Sequence, residues 1–133
     1  MRGIQGDAAA IGASGCYLLA LLRLVSREGD ALGLYYNALR ARAIDAECWV
    51  KDPCMILSLA GGGTWSVRHD ATDYEPKHGE REILRFERKT AAGVLGHFVV
   101  GDGHGAVEWD PLGESRTVAE GKLVSKRIIR RLT

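Results

Sequence analysis

Cysteine is scarce in this chain, and so is any excess of one charge. Three cysteines (Cys16, Cys48, Cys54) in 133 residues are an odd number, which argues against a disulfide scaffold and fits a reducing compartment. No run of about 18 apolar residues exists, so no membrane-spanning helix is expected. A formal net charge of +1 gives no global electrostatic argument for a nucleic-acid or membrane partner. Paired CxxC and HExxH patterns are missing, and Cys48 and Cys54 lack a standard zinc spacing. His69, His78, His97 and His104, with Asp70 and Asp73, could supply ligands, but they form no tight motif, and neither a metal nor another cofactor is expected. The triplet Gly61–Gly63 has no following Lys-Ser/Thr and is not a phosphate loop.

The N-terminal stretch 1–16 ends in Ala13-Ser14-Gly15-Cys16, which has the outline of a lipoprotein cleavage box. The run before it carries Gly6, Asp7 and Gly12, and a leucine-rich segment rather than a polar tether follows the Cys. A signal peptide needs a continuous apolar stretch before that point, so a cytoplasmic protein is the expectation. The tail 121–133 holds Lys122, Lys126, Arg127, Arg130 and Arg131 without an acid or interleaved aromatics. Such residues along a strand read as a solvated or edge-protecting face, and no nucleic-acid partner is expected.

What is present is 46% hydrophobic residue content, enough for one compact domain over residues 1–133. Its periodicity changes part-way. A helical half, about 14–60, starts with Ser14 as N-cap of a helix over 15–27 that is apolar nearly all round and should be buried on several sides. Asp30 can cap a second helix over 31–43, and Asp52-Pro53 a third through Leu59, stopped by the glycine triplet. A strand half, about 64–131, offers strands at 64–67, 82–88, 97–101, 106–110, 116–118 and 123–130, with a polar surface loop over 68–79. Helices first and a largely antiparallel sheet second give an α+β domain.

Three residues stand out for chemistry. Cys16 follows Gly15 at the head of the leucine-rich helix, where unpaired N–H groups and the helix dipole stabilise a thiolate. His97 opens the strand Gly96-His97-Phe98-Val99-Val100, and Asp110 closes the strand Glu108-Trp109-Asp110. If 102–105 is a four-residue loop, Gly101 faces Ala106, Phe98 faces Trp109, and His97 lies directly opposite Asp110. A two-residue turn at Asp102-Gly103 instead puts His97 opposite Glu108. By alternation, Phe98 and Trp109 should point to the other sheet face and pack into the core there. A thiolate, an imidazole and a carboxylate that fixes its tautomer make a nucleophile, base and orienter. Cys48 and Cys54 lack the preceding glycine and read as core thiols, with Cys54 near a helix start.

Gly-Cys opening a leucine-rich helix, then Gly-His-Phe-Val-Val, a glycine turn and Trp-Asp-Pro, resembles the papain-like cysteine peptidases. The likeness is to the bacteriocin-processing (double-glycine-leader) type and its small stand-alone bacterial and phage relatives. It implies a papain-like fold, with a buried helix carrying Cys16 against a sheet carrying His97. It also implies thiol-dependent hydrolysis of peptide, protein or cell-wall amide bonds by Cys16, His97 and Asp110. A Gln side chain upstream would share the oxyanion with the Cys16 N–H, and Gln5 is the sole Gln. Its eleven-residue separation from Cys16 exceeds the six of papain, whose place Ala10 takes here. The alternatives are a catalytically silent papain-fold binding module and a metal-dependent hydrolase.

Overall fold

The computed structural model describes residues 3–133, with nothing of the side chain at Ala13. The chain forms two compact units. One runs to Trp65 and takes in Leu132–Thr133; the other is Ser66–Arg131. The architecture is α+β, helices in the first unit and a five-stranded sheet in the second.

The helical unit begins with α1 (Ile4–Ser14), a helix the sequence reading left unassigned. Its glycines and alanines give no apolar stripe, which hid it from periodicity. Then comes α2 (Cys16–Leu24), whose Leu18, Ala20, Leu21 and Leu22 are buried, in line with its all-round apolar sequence. Ser14 was expected to cap α2, but it is the last residue of α1, and Gly15 is the N-cap. Gly15 donates its N–H to the Ile11 carbonyl at 2.8 Å, and a Cβ there would strike that same carbonyl. Only glycine allows the chain to turn so tightly, and the axes of Ile4–Gly12 and Cys16–Leu24 differ by 83°. No single helix among the described residues is long and apolar enough to cross a membrane.

After a 3-10 turn (Glu28–Asp30), α3 (Ala31–Arg40) buries Leu34, Tyr35 and Ala38. α4 (Pro53–Gly61) starts as the sequence implied: the Asp52 side chain accepts from the Met55 N–H at 3.0 Å, with proline at the first helical position.

The sheet comprises β1 (Trp65–Asp70), β2 (Glu80–Thr90), β3 (Gly93–Gly101), β4 (Val107–Trp109) and β5 (Lys122–Arg131), ordered β1-β5-β2-β3-β4. The pairs β2–β3, β2–β5 and β3–β4 are antiparallel. The strand expected at 116–118 is instead a short helix, α5 (Arg116–Glu120). Ser115 caps it from outside, accepting from the Val118 N–H at 3.3 Å, so a capping serine overrode the β-branched Thr-Val pair. Register assigns the sheet faces. Glu82, Leu84, Phe86, His97, Val99, Lys126 and Ile128 share one; Ile83, Arg85, Phe98, Val100 and Arg127 share the other. The expectation of a solvated basic tail holds for Lys122, Arg130 and Arg131, which are exposed, and is corrected for Lys126 and Arg127. β5 lies between β1 and β2, and its Lys126 and Arg127 are buried, Lys126 against Glu82 and Arg127 over the Phe98 ring.

Candidate functional site

His97 and Asp110 meet. His97 Nε2 lies 2.7 Å from Asp110 Oδ1, and both side chains are about 5% exposed, at 6% and 4%. The same Asp110 oxygen accepts the Leu112 N–H at 2.9 Å, fixing the carboxylate against the turn that follows β4. Glu108, the other possible partner, points elsewhere and pairs with Arg81 at 3.3 Å on the surface.

The register that achieves this differs from the expected one. Val100 pairs with Trp109 and Gly101 with Val107, with a shift between them. Asp110 therefore lies one step diagonal to His97 rather than directly opposite. A displacement of two residues preserves face parity, so the carboxylate stays on the imidazole's side of the sheet. The Asp102 carboxylate accepts the N–H groups of His104 (2.7 Å) and Ala106 (3.2 Å), while the Asp102 N–H donates to the Ala106 carbonyl at 2.9 Å. Phe98 does leave His97's face, yet it is not in an apolar core. It is half-buried between the guanidinium groups of Arg85 and Arg127, 5.4 and 5.3 Å from its ring centre.

In the helical unit, Cys16 is the first residue of α2 and half-buried. No side chain caps this helix, and the Leu19 N–H closes its first turn onto the Gly15 carbonyl at 2.8 Å. Its positive end is thus not already answered by a capping carboxylate. Cys54 sits in the first turn of α4, where Asp52 does supply one. Cys48 is buried in a turn, at φ 66°. No disulfide joins any of the three.

The family is now assignable: the chain belongs to DUF261. This family, described as a protein of unknown function, matches residues 5–131, a span holding Cys16, His97, Asp110 and Gln5. No curated protein and no solved structure matches the chain.

Gln5 lies at the end of α1 remote from Cys16. It is exposed, the second residue of α1, and nine positions of helix separate it from Ser14. At 1.5 Å of rise per residue that is about 13 Å along the axis before the turn to Cys16 begins. Among the described residues no three or more His, Cys, Asp or Glu side chains gather as a metal site.

Beside Arg127, two further buried charged residues, Glu82 and Lys126, form an ion pair that the local sequence pattern does not mark. Glu82 is fully buried, and Lys126 is 2% exposed with its Nζ 2.8 Å from Glu82 Oε1. Glu82 Oε2 accepts two backbone N–H groups, from Gly103 and Gly105, each at 3.0 Å. The signal was the spacing Gly101-x-Gly103-x-Gly105: three alternate glycines mark a loop wrapped around something.

Proposed function

We propose that this DUF261 chain is a thiol-dependent hydrolase of amide bonds with a papain-like arrangement of Cys16, His97 and Asp110. The buried 2.7 Å pairing of His97 Nε2 with the Asp110 carboxylate carries the reading. An imidazole so held has its Nε2–H tautomer fixed, which assigns proton transfer to Nδ1. The carboxylate also stabilises the imidazolium that forms when Nδ1 accepts a proton. A buried helix headed by Gly-Cys and an antiparallel sheet carrying the His are the elements this arrangement requires.

In the proposed sequence, Cys16 passes its proton to His97 and its sulfur attacks the amide carbonyl carbon. The carbonyl π electrons move to oxygen, and in this reading backbone N–H groups at the head of α2 receive that charge. Gln5 has no part in this version, because α1 holds it at its far end. Collapse of the tetrahedral species expels the amine, which takes the proton from His97. Water, deprotonated by His97, then attacks the thioester, releasing the acid and restoring the thiol. Peptide, protein or cell-wall amides are the substrate classes proposed.

The test is brief alkylation by iodoacetamide at pH 6, with the labelled peptides mapped by mass. Cys16 is expected to react ahead of Cys48 and Cys54, and His97→Ala to remove that advantage. Labelling of Cys16 no faster than Cys54 overturns the hydrolase and leaves a binding module. Undiminished hydrolysis of a substrate by Cys16→Ala overturns it as well, in favour of metal-dependent chemistry.

A further inference from the structure

The pairing of His97 with Asp110 depends on a very short strand. β4 has three residues and meets β3 only at Val100 and Gly101. Asp110 lies just beyond it, so its position is set mainly by how the loop 102–106 leaves β3 and returns. That loop is rich in glycine, and on its own such a segment samples many conformations.

Glu82 removes this freedom. It projects from β2 on the same face as His97, wholly shielded from water. Its Oε2 gathers the N–H groups of Gly103 and Gly105, two alternate donors of one turn, into a small anion-holding nest. All three loop glycines are explained by that arrangement. Gly103 and Gly105 adopt φ of 93° and 85°, which L side chains rarely reach, and a Cβ on Gly101 would strike the Glu82 carboxylate. Lys126 supports the acid from the other side and also donates to the Tyr74 carbonyl at 2.8 Å, tying the β1–β2 connection to the same point. A carboxylate removed from water is strongly destabilising unless it is compensated; here the two glycine N–H groups bond Oε2, and the Lys126 ammonium faces Oε1 as an ion-pair partner without a hydrogen bond.

We infer that Glu82 is a positioning residue for the His97–Asp110 pair, acting through the backbone of the loop 103–105. The inference takes that pair as the working base of the proposed hydrolase, yet its own geometry can be read without any turnover. Asp110 reaches His97 because the loop is held at Gly103 and Gly105, and the extra β4 residue, Glu108, opposite the Val100–Gly101 step is the consequence.

Two charge-balanced double variants separate the acceptor from the charge. Glu82→Gln with Lys126→Met keeps an oxygen for the glycine N–H groups; Glu82→Leu with Lys126→Met does not. The readout is the 15N signature of the His97 imidazole, with circular dichroism as the check on folding. Wild type and the Gln/Met protein are expected to show one Nε2–H tautomer, and the Leu/Met protein a mixture of tautomers. Cys16 alkylation at pH 6 should fall about tenfold to a hundredfold in Leu/Met alone, the scale of an ångström-sized misplacement. The same His97 signature in both folded double variants overturns the inference. Should Leu/Met fail to fold, native-state hydrogen exchange in wild type decides. The Gly103 and Gly105 amides and the His97 Nε2–H must open together, and glycine amides that open freely while the His97 proton stays protected overturn it. If Cys16 shows no special reactivity in wild type, the hydrolase reading fails, while the tautomer comparison still judges Glu82.

Discussion

One face of the sheet carries two buried acid–base pairs, and they are built for opposite purposes. Glu82 and Lys126 form an ion pair 2.8 Å apart. Their surroundings complete them, with two glycine N–H groups on the acid and a backbone carbonyl on the ammonium. His97 and Asp110 are as close, at 2.7 Å, but an imidazole changes charge in the neutral range. The first pair reads as a fixed strut, and in the proposed hydrolase the second passes a proton. Burial alone does not separate them; the partner's proton affinity and the surrounding donors do.

Breaking the strut is expected to have the largest effect on folding. Lys126→Met leaves Glu82 charged and buried without its counter-ion, a change that costs about 3–5 kcal/mol. Urea unfolding followed by circular dichroism measures it. Glu82→Gln added to Lys126→Met should recover most of the loss, since the pair then leaves no lone charge. Failure to recover would mean that the ionic contact itself, rather than the avoidance of an orphan, holds the sheet.

Breaking the His97 pair should invert the pattern, with a large effect on chemistry and a small one on stability. His97→Ala is expected to lower hydrolysis, or Cys16 alkylation at pH 6, by about a hundredfold or more, the usual scale for a proton-transfer group. Asp110→Asn should cost less, about tenfold, because an amide oxygen can still accept from Nε2–H. Its effect on unfolding should stay within about 1.5 kcal/mol, as for one hydrogen bond. An Asp110→Asn protein that unfolds as readily as Lys126→Met, with unchanged thiol reactivity, would make both pairs struts and erase the distinction.

The two pairs were unequally legible in the sequence. His97 and Asp110 could be paired from strand alternation, because a register error of two residues leaves both on one face. The exact opposition could not, since the extra β4 residue facing the Val100–Gly101 step is tied, on the inference above, to Glu82, a residue distant in sequence. Asp52-Pro53 announced α4 because a cap and a first-turn proline act locally. Ser14 misled because the 83° turn at Gly15 is a packing event between two helices. Lys126 resembled a surface lysine because burial on an interior strand depends on strand order, which the local pattern does not encode.

A third carboxylate on β2 sharpens the comparison with the smallest effect. Glu80 accepts from Arg68 at 2.8 Å, from the Tyr74 hydroxyl at 2.6 Å and from the Lys77 N–H at 2.8 Å. These bonds, the Arg68 contact foremost, lower its pKa from 4.5 to about 2. A carboxyl group held below its unfolded value binds protons more tightly when unfolded, so its contribution is fully present above about pH 4.5. That contribution fades as pH falls through the folded value near 2. The difference in unfolding free energy between wild type and Glu80→Gln should therefore be constant from pH 7 to about 5 and shrink steadily below 4.5. Because Arg68 is partly exposed, the plateau should be modest and should diminish further in high salt. Urea titrations at a series of pH values test this. A difference that stays flat down to pH 2.5 would show that Glu80 acts by shape rather than charge, placing it beside neither buried pair.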